Sequence, residues 1–173
     1  MFTHALIAVI QGSILRSQSS KFFKDMPFNF LIMTTVYDVN ANALIDSLSE
    51  SLKKNKNLQP PGWTRYVKTG AHKERPPQEN DWWFKRLAAI LRSVYVRYPI
   101  GVQRLRTKFG GRRKRGYKPK KHFKAGGKII RTAIQILESE GLLTKVEKKG
   151  RVLTKKGVSM LDKHAAMLVR SNE

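Results

Sequence analysis

The sequence contains no cysteine. That absence removes disulfides, thiolate metal sites and a cysteine nucleophile together, and it fits a reducing compartment. Acid is scarce: 12 Asp and Glu stand against 35 Lys and Arg, a formal net charge of +23 over 173 residues. Between positions 82 and 137 there is no acidic residue at all, while the same window carries 17 cations. No apolar run reaches the roughly 18 residues that a membrane-spanning helix needs. The apolar run Ala5-Leu-Ile-Ala-Val-Ile10 has no basic residues before it and does not read as a signal peptide.

The sequence does have the material for a core. Hydrophobic residues make up 40% of it, with eight Phe, three Trp and five Tyr, which separates it from a disordered basic tail. Its length suits one domain with an appendage. Residues 11–25, rich in Ser, Gln and Lys, show no clear period, and Met33 opens a more ordinary beginning, Met33-Thr-Thr-Val-Tyr-Asp-Val39. We read residues 1–32 as a mis-start or a disordered extension, and 33–173 as a single domain. The first segment holds Arg16, Lys21, Lys24 and Asp25, so it carries little of the charge.

Apolar spacing predicts the elements. Leu44, Ile45, Leu48 and Leu52 mark a helix over 40–54, capped by Asp38 or Asn40. Residues 57–80, with Pro60-Pro61-Gly62 and Pro76-Pro77, form an irregular connection that Trp63 and Tyr66 anchor to the core. A strong helix covers 81–96, with Trp83, Phe84, Leu87, Ile90, Leu91, Val94 and Tyr95 on one face. Pro99 then opens a short helix over 100–109, which buries Val102, Leu105 and Phe109. The stretch 110–124 is too polar and too interrupted by Gly and Pro to be helix. A further helix covers 128–140 and stops at Gly141. A hairpin over 143–153 turns at Lys148-Lys149-Gly150, and Thr154 caps a last helix. The expected fold is mainly α: about five helices around a winged-helix-like core, with one short β-hairpin as the wing. In that order the helix before the wing faces nucleic acid.

Any single lysine is ordinarily a solvated charge. Solvated faces normally mix signs, however, and this one-signed window points to a polyanion. Candidate contacts are Lys85, Arg86, Arg92, Arg104, Arg106, Lys108, Arg112, Arg113, Lys114, Arg115, Lys118, Lys120, Lys121, Lys124, Lys128 and Arg131. Each cation that meets a phosphate releases a condensed counterion, which ties affinity to salt more than to sequence. Tyr117 and Phe123 either stack on unpaired bases or pack beneath the basic loop. Lys114-Arg115 and their neighbours also form a weak match to a nuclear-import patch.

Catalytic readings fail on the residues. Gly126-Gly127-Lys128 lacks a phosphate loop's first Gly, because position 122 is His, and Ile129 stands where Ser or Thr should follow. His4, His72, His122 and His164 have no ligand spacing. Glu138 and Glu140 diverge on a helix and read as surface charges. No enzyme, cofactor or metal is expected.

Several stretches carry a family resemblance. They are Thr35-Val-Tyr-Asp-Val39, Val67-Lys-Thr-Gly70 with His72-Lys-Glu74, Asp81-Trp-Trp-Phe84 and Lys108-Phe-Gly-Gly-Arg112. A longer run follows over 119–138, with Gly126, Ile129, Arg131, Ala133, Gln135, Leu137 and Glu138 in place. Gly150-Arg-Val-Leu-Thr154 followed by Gly157 completes the set. From Met33 to about Val169 the chain resembles small-subunit ribosomal protein nineteen of the archaeal and eukaryotic type, closer to the archaeal branch through its Met33 start. Ile134 departs mildly, standing where Leu or Val is usual.

The resemblance implies an all-α domain around a winged-helix core. It implies binding to small-subunit rRNA in the subunit head beside neighbouring ribosomal proteins, and support for maturation of the subunit. It places the chain on ribosomes in the cytoplasm, with no membrane partner and as a monomer outside the ribosome. Family arginines important for assembly fall on Arg86, Arg92 and Arg131. The alternative is a winged-helix DNA-binding transcription regulator. Against it stands a basic loop of about fifteen residues where the simple motif has a turn of about three or four.

Overall fold

The structure, a computed structural model, describes residues 34–171. The reading of residues 1–32 as a mis-start or extension lies outside the described residues.

Helix α1 (Ala41–Lys53) is capped by Asn40, whose side chain accepts from the Asn42 amide at 2.9 Å. The other cap candidate, Asp38, instead accepts from the Thr35 amide and hydroxyl in the preceding turn. Leu44, Leu48 and Leu52 form the buried stripe of α1, which packs along helix α2 (Trp82–Val96). Between them run two short 3-10 turns, Lys56–Leu58 and Gly62–Arg65. Trp63 anchors this connection as expected, meeting Trp83 edge to face with ring centres 6.1 Å apart. Tyr66 does not: its side chain is 84% exposed, a correction to the expected pair of anchors.

The next helix starts later than expected. Helix α3 spans Val102–Lys108, and Pro99 lies outside it. The backbone of Ile100 is engaged elsewhere: it exchanges two hydrogen bonds with Arg151, at 3.2 and 3.0 Å. Ile100 thus adds a third edge to the wing, and Gly101 becomes the cap position of α3.

The basic stretch folds as a second hairpin, so the expectation of one hairpin is corrected to two. Strands β1 (Gly111–Arg115) and β2 (Lys118–Phe123) pair antiparallel around Gly116, whose φ of 67° suits glycine. Period-2 apolar alternation, the ordinary strand signal, is absent here because neither face is buried.

Helix α4 (Gly127–Ser139) follows, burying Ile129, Ile130, Ala133, Ile134 and Leu137. It ends in a Schellman motif: Leu142 N–H donates to Leu137 O and Gly141 N–H to Glu138 O, both at 3.0 Å, with Gly141 at φ 69°. The wing is β3 (Leu143–Val146) paired with β4 (Gly150–Leu153). Helix α5 (Lys155–Ser171) is capped by the Thr154 hydroxyl, which accepts from Gly157 N–H at 3.2 Å.

The order α2, Ile100, α3, α4, β3, β4 is that of a winged helix, with β1–β2 inserted between α3 and α4. Helices α1 and α5 cover the remaining face of α2. One core runs through all five helices.

Trp83 has no exposed surface and touches both Trp63 and Trp82 edge to face. Trp83→Ala is expected to cost about 3–5 kcal/mol, as for other buried aromatics. Urea unfolding checks this; an unchanged midpoint would contradict the core assignment.

Candidate nucleic-acid interface

The hairpin β1–β2 is a cationic arm. From Arg112 to Lys121 every residue is exposed, and Tyr117 at the turn is fully so. Arg113 lies opposite Lys121, and Arg115 opposite Lys118. Like charges directly opposite on paired strands repel, and a lone two-stranded hairpin is marginal in water. Within the arm, Arg115 spends its guanidinium on the Pro119 carbonyl, at 3.2 and 3.0 Å. No carboxylate pairs with any of the arm's cations among the described residues.

The arm is held at its root by peptide groups. Ala125 N–H donates to Arg106 O at 2.9 Å, and Arg106 Nε donates back to Ala125 O at 3.2 Å. Gly126 N–H donates to Thr69 O at 2.9 Å, which brings the 57–80 connection to the same point. At Gly110 an added Cβ would sit 2.4 Å from the Phe123 carbonyl, so only glycine permits the strands to close there. The His72 ring fills a slot bounded by Gly70 and Gly111, where added Cβ atoms would approach it to 2.9 and 2.8 Å. Phe123, half-buried, belongs to this root, whereas Tyr117 packs beneath nothing.

The predicted contact residues separate into groups. Arg112, Arg113, Lys114, Arg115, Lys118, Lys120, Lys121 and Lys124 stand exposed on the arm or at its base. Arg106 and Arg131 converge at the start of α4: Arg131 Nη1 and Arg106 Nε lie 3.1 and 3.4 Å from where a Gly127 Cβ would be. Arg131 and Lys128 lie on the exposed side of α4, with the Lys128 ammonium 5.0 Å from the centre of the Trp63 ring. Arg104 and Lys108 are exposed on α3.

Three more of the predicted cations, Lys85, Arg86 and Arg92, are only half-exposed on α2. Lys85 is paired with Glu79 at 2.8 Å and Asp46 at 3.6 Å, acids from outside the one-signed window. Those pairs raise its pKa. Arg86 is half-buried, its guanidinium 4.4 Å above the Phe109 ring in a groove that also exposes Glu74 and Glu79. Arg92 is half-buried, and its Nε is enclosed without a hydrogen-bond partner.

Sequence reasoning missed Arg97, Tyr98 and Lys149, which share one hollow beside Arg104. The breaker Pro99 directly after Arg97-Tyr98 was the available signal, since it forces the chain out of α2 there. Glu138 bonds Arg151 at 2.9 Å and so ties α4 to the wing, in keeping with a structural charge. Among the described residues no group of His, Asp and Glu could hold a metal ion. No described helix is long and apolar enough to cross a membrane.

These features define a class: a winged-helix protein whose helix–helix turn is replaced by a one-signed, solvent-exposed hairpin. The family follows from comparison. The model for ribosomal protein S19e matches residues 35–171, and the chain belongs to that family. Small ribosomal subunit protein eS19 of Aeropyrum pernix is 44% identical over 132 residues, 75% of this chain and 86% of its own. The eS19 proteins of Haloarcula marismortui (39%, covering 79% and 92%) and Emericella nidulans (41%, covering 80% and 95%) match over similar lengths. Archaeal and fungal relatives therefore lie at overlapping identities.

The slot at the arm's root predicts a pH dependence. Burial pushes the His72 imidazole below the ordinary histidine range, helped by Lys73, Arg86 and His122. Burial lowers His164 as well, where Nδ1 lies 3.0 Å from the Ser47 hydroxyl. Below about pH 6.5 the unfolded chain binds more protons at these sites than the folded one, so stability falls as pH drops through that window and is complete above it. The urea midpoint should be lower at about pH 5.5 than at 7.5, with a smaller drop in His72→Asn and His164→Asn. A drop of unchanged size in both variants would contradict the assignment.

Proposed function

We propose that this chain is a structural, non-catalytic component of the small ribosomal subunit that binds rRNA of the subunit head. On this reading it supports pre-rRNA processing and maturation of the subunit by stabilising RNA structure. It works ribosome-bound in the cytoplasm, beside neighbouring proteins of the head, and is a monomer before assembly. The observation that carries the reading is the arm: Arg113 against Lys121 and Arg115 against Lys118, exposed, with no acid to offset them. Such a hairpin gains most when phosphates enter between and around its charges. The arm, with Arg106, Lys128 and Arg131 at the start of α4, is the proposed principal surface. Arg104 and Lys108 form a second cationic patch on α3, with Arg92 near Lys108. Lys85 and Arg86 act more through the fold. Membership in the S19e family supports the ribosomal setting. The DNA-regulator alternative loses ground, because the arm replaces the tight turn that the simple helix-turn-helix motif requires.

The cross-strand geometry gives a test with opposite signs. Arg113→Glu creates an attractive pair with Lys121 and should slow amide exchange in β1–β2 of the free protein. The same change should weaken binding to a small-subunit head rRNA fragment and reduce the salt slope by about 1 or more. Equal or tighter RNA binding would overturn the reading. In cells, Arg131→Glu should lower occupancy of small subunits while leaving the thermal midpoint of the purified protein unchanged, because Arg131 is exposed. Normal occupancy would remove Arg131 from the surface.

A further inference from the structure

Away from the arm, where α2 gives way to α3, two open hollows of about 450 and 610 Å³ adjoin each other. Arg97 and Arg104 line both. The smaller hollow adds Ile100, Thr107 and Lys108. The larger adds Tyr98, Pro99, Gln103 and the wing-turn residue Lys149. No carboxylate lines either hollow, and no ion pair among the described residues engages these cations.

One of these cations, Lys108, is fixed in place. Lys108 Nζ donates to Ser93 Oγ at 2.7 Å, and that hydroxyl donates in turn to the Ala89 carbonyl. Partial burial holds the Lys108 ammonium below the usual lysine range, and the nearby charges of Arg97 and Arg92 push it the same way. The fold thus keeps like charges together with nothing on the protein to offset them. Guanidinium forks beside a fixed ammonium match the oxygens of a phosphodiester.

The larger hollow asks for something other than phosphate. Tyr98 is 68% exposed and stands between the exposed Arg97 and Pro99. Its ring takes part in none of the aromatic pairs among the described residues. Gln103 accepts from Arg106 Nη1 through its amide oxygen at 3.3 Å, which leaves the NH2 to donate to an acceptor on a base edge. An exposed ring with an amide donor nearby suits a base that has left its stack; bases inside a duplex are not open to such a ring. An acidic peptide would use the arginines and leave Tyr98 and Gln103 without a role.

We infer that this double hollow binds one unpaired RNA nucleotide, its phosphate on Arg97, Arg104 and Lys108 and its base on Tyr98 with Gln103 at the edge. The inference rests on the RNA-binding reading above and adds a structure-specific site apart from the arm.

The test measures binding of the full chain, by fluorescence anisotropy, to three short RNAs. One is an uninterrupted duplex, one the same duplex with a single bulged nucleotide, and one carries an abasic bulge. The wild type should prefer the bulged RNA over the other two by about tenfold, the scale of one base–aromatic stack. Tyr98→Ala should abolish that preference without changing affinity for the uninterrupted duplex, and Tyr98→Phe should keep it. Arg113→Glu should weaken all three alike. Tyr98 is exposed, so unchanged thermal unfolding of its variants is expected and checks that they fold. Salt-dependent binding with no bulge preference, or a preference that survives Tyr98→Ala, overturns this inference alone. Competition by an acidic peptide that depends on Tyr98, without a bulge preference, makes the hollow a protein-docking surface and also overturns it. Absence of salt-dependent RNA binding overturns the proposed function and this site with it.

Discussion

The cationic arm has no buried face, so its position depends on the peptide hydrogen bonds at its root. Arg106, Thr69, Ala125 and Gly126 join α3, the 57–80 connection and the start of α4 at one place. Two of the three hydrogen bonds there join neutral peptide groups, and the third carries the Arg106 guanidinium to a carbonyl. None involves a carboxylate, so salt has little to screen. The glycines at 70, 110 and 111 let the backbones and the His72 ring come within reach of one another. Without this clamp, a hairpin with opposed like charges would separate or swing freely.

The charge of +23 is tolerable because the molecule divides its cations between two uses. Lys53, Lys85 and Arg151 take up Asp81, Asp46, Glu79 and Glu138, all acids outside the stretch from 82 to 137. Arg86 and Lys128 lie over aromatic rings. These contacts tie elements together. The arm and the hollow beside Tyr98 have no such partners, so the uncompensated charge is concentrated where a polyanion can reach it. Long-range attraction and local rigidity therefore come from different residues.

Much of the fold is legible in the sequence because it follows from burial. The apolar period of 3.6 marks α1, α2, α4 and α5, and Gly141 and Thr154 act at the boundaries their chemistry suggests. The misses have physical causes that differ from place to place. Ile100 is drawn out of α3 by Arg151, fifty-one positions away. The arm is a hairpin without an apolar face, so its strands leave no period to read. Tyr66 is an aromatic in a connection that Trp63 alone anchors. At the candidate surface, composition located the cations but not their use. Lys85 meets Glu79 and Asp46 only once α1, α2 and their connection fold together, and the hollow of Arg97, Tyr98 and Lys149 forms only when the wing closes on α3.

The proposed role has rRNA holding this protein in the small ribosomal subunit. Sucrose-gradient fractionation of a cell extract, with the protein followed by mass spectrometry, puts that role to the test. Stoichiometric recovery with the small subunit is expected, with release when magnesium is removed and salt is raised. Absence from the subunit, with recovery on duplex DNA instead, would contradict it.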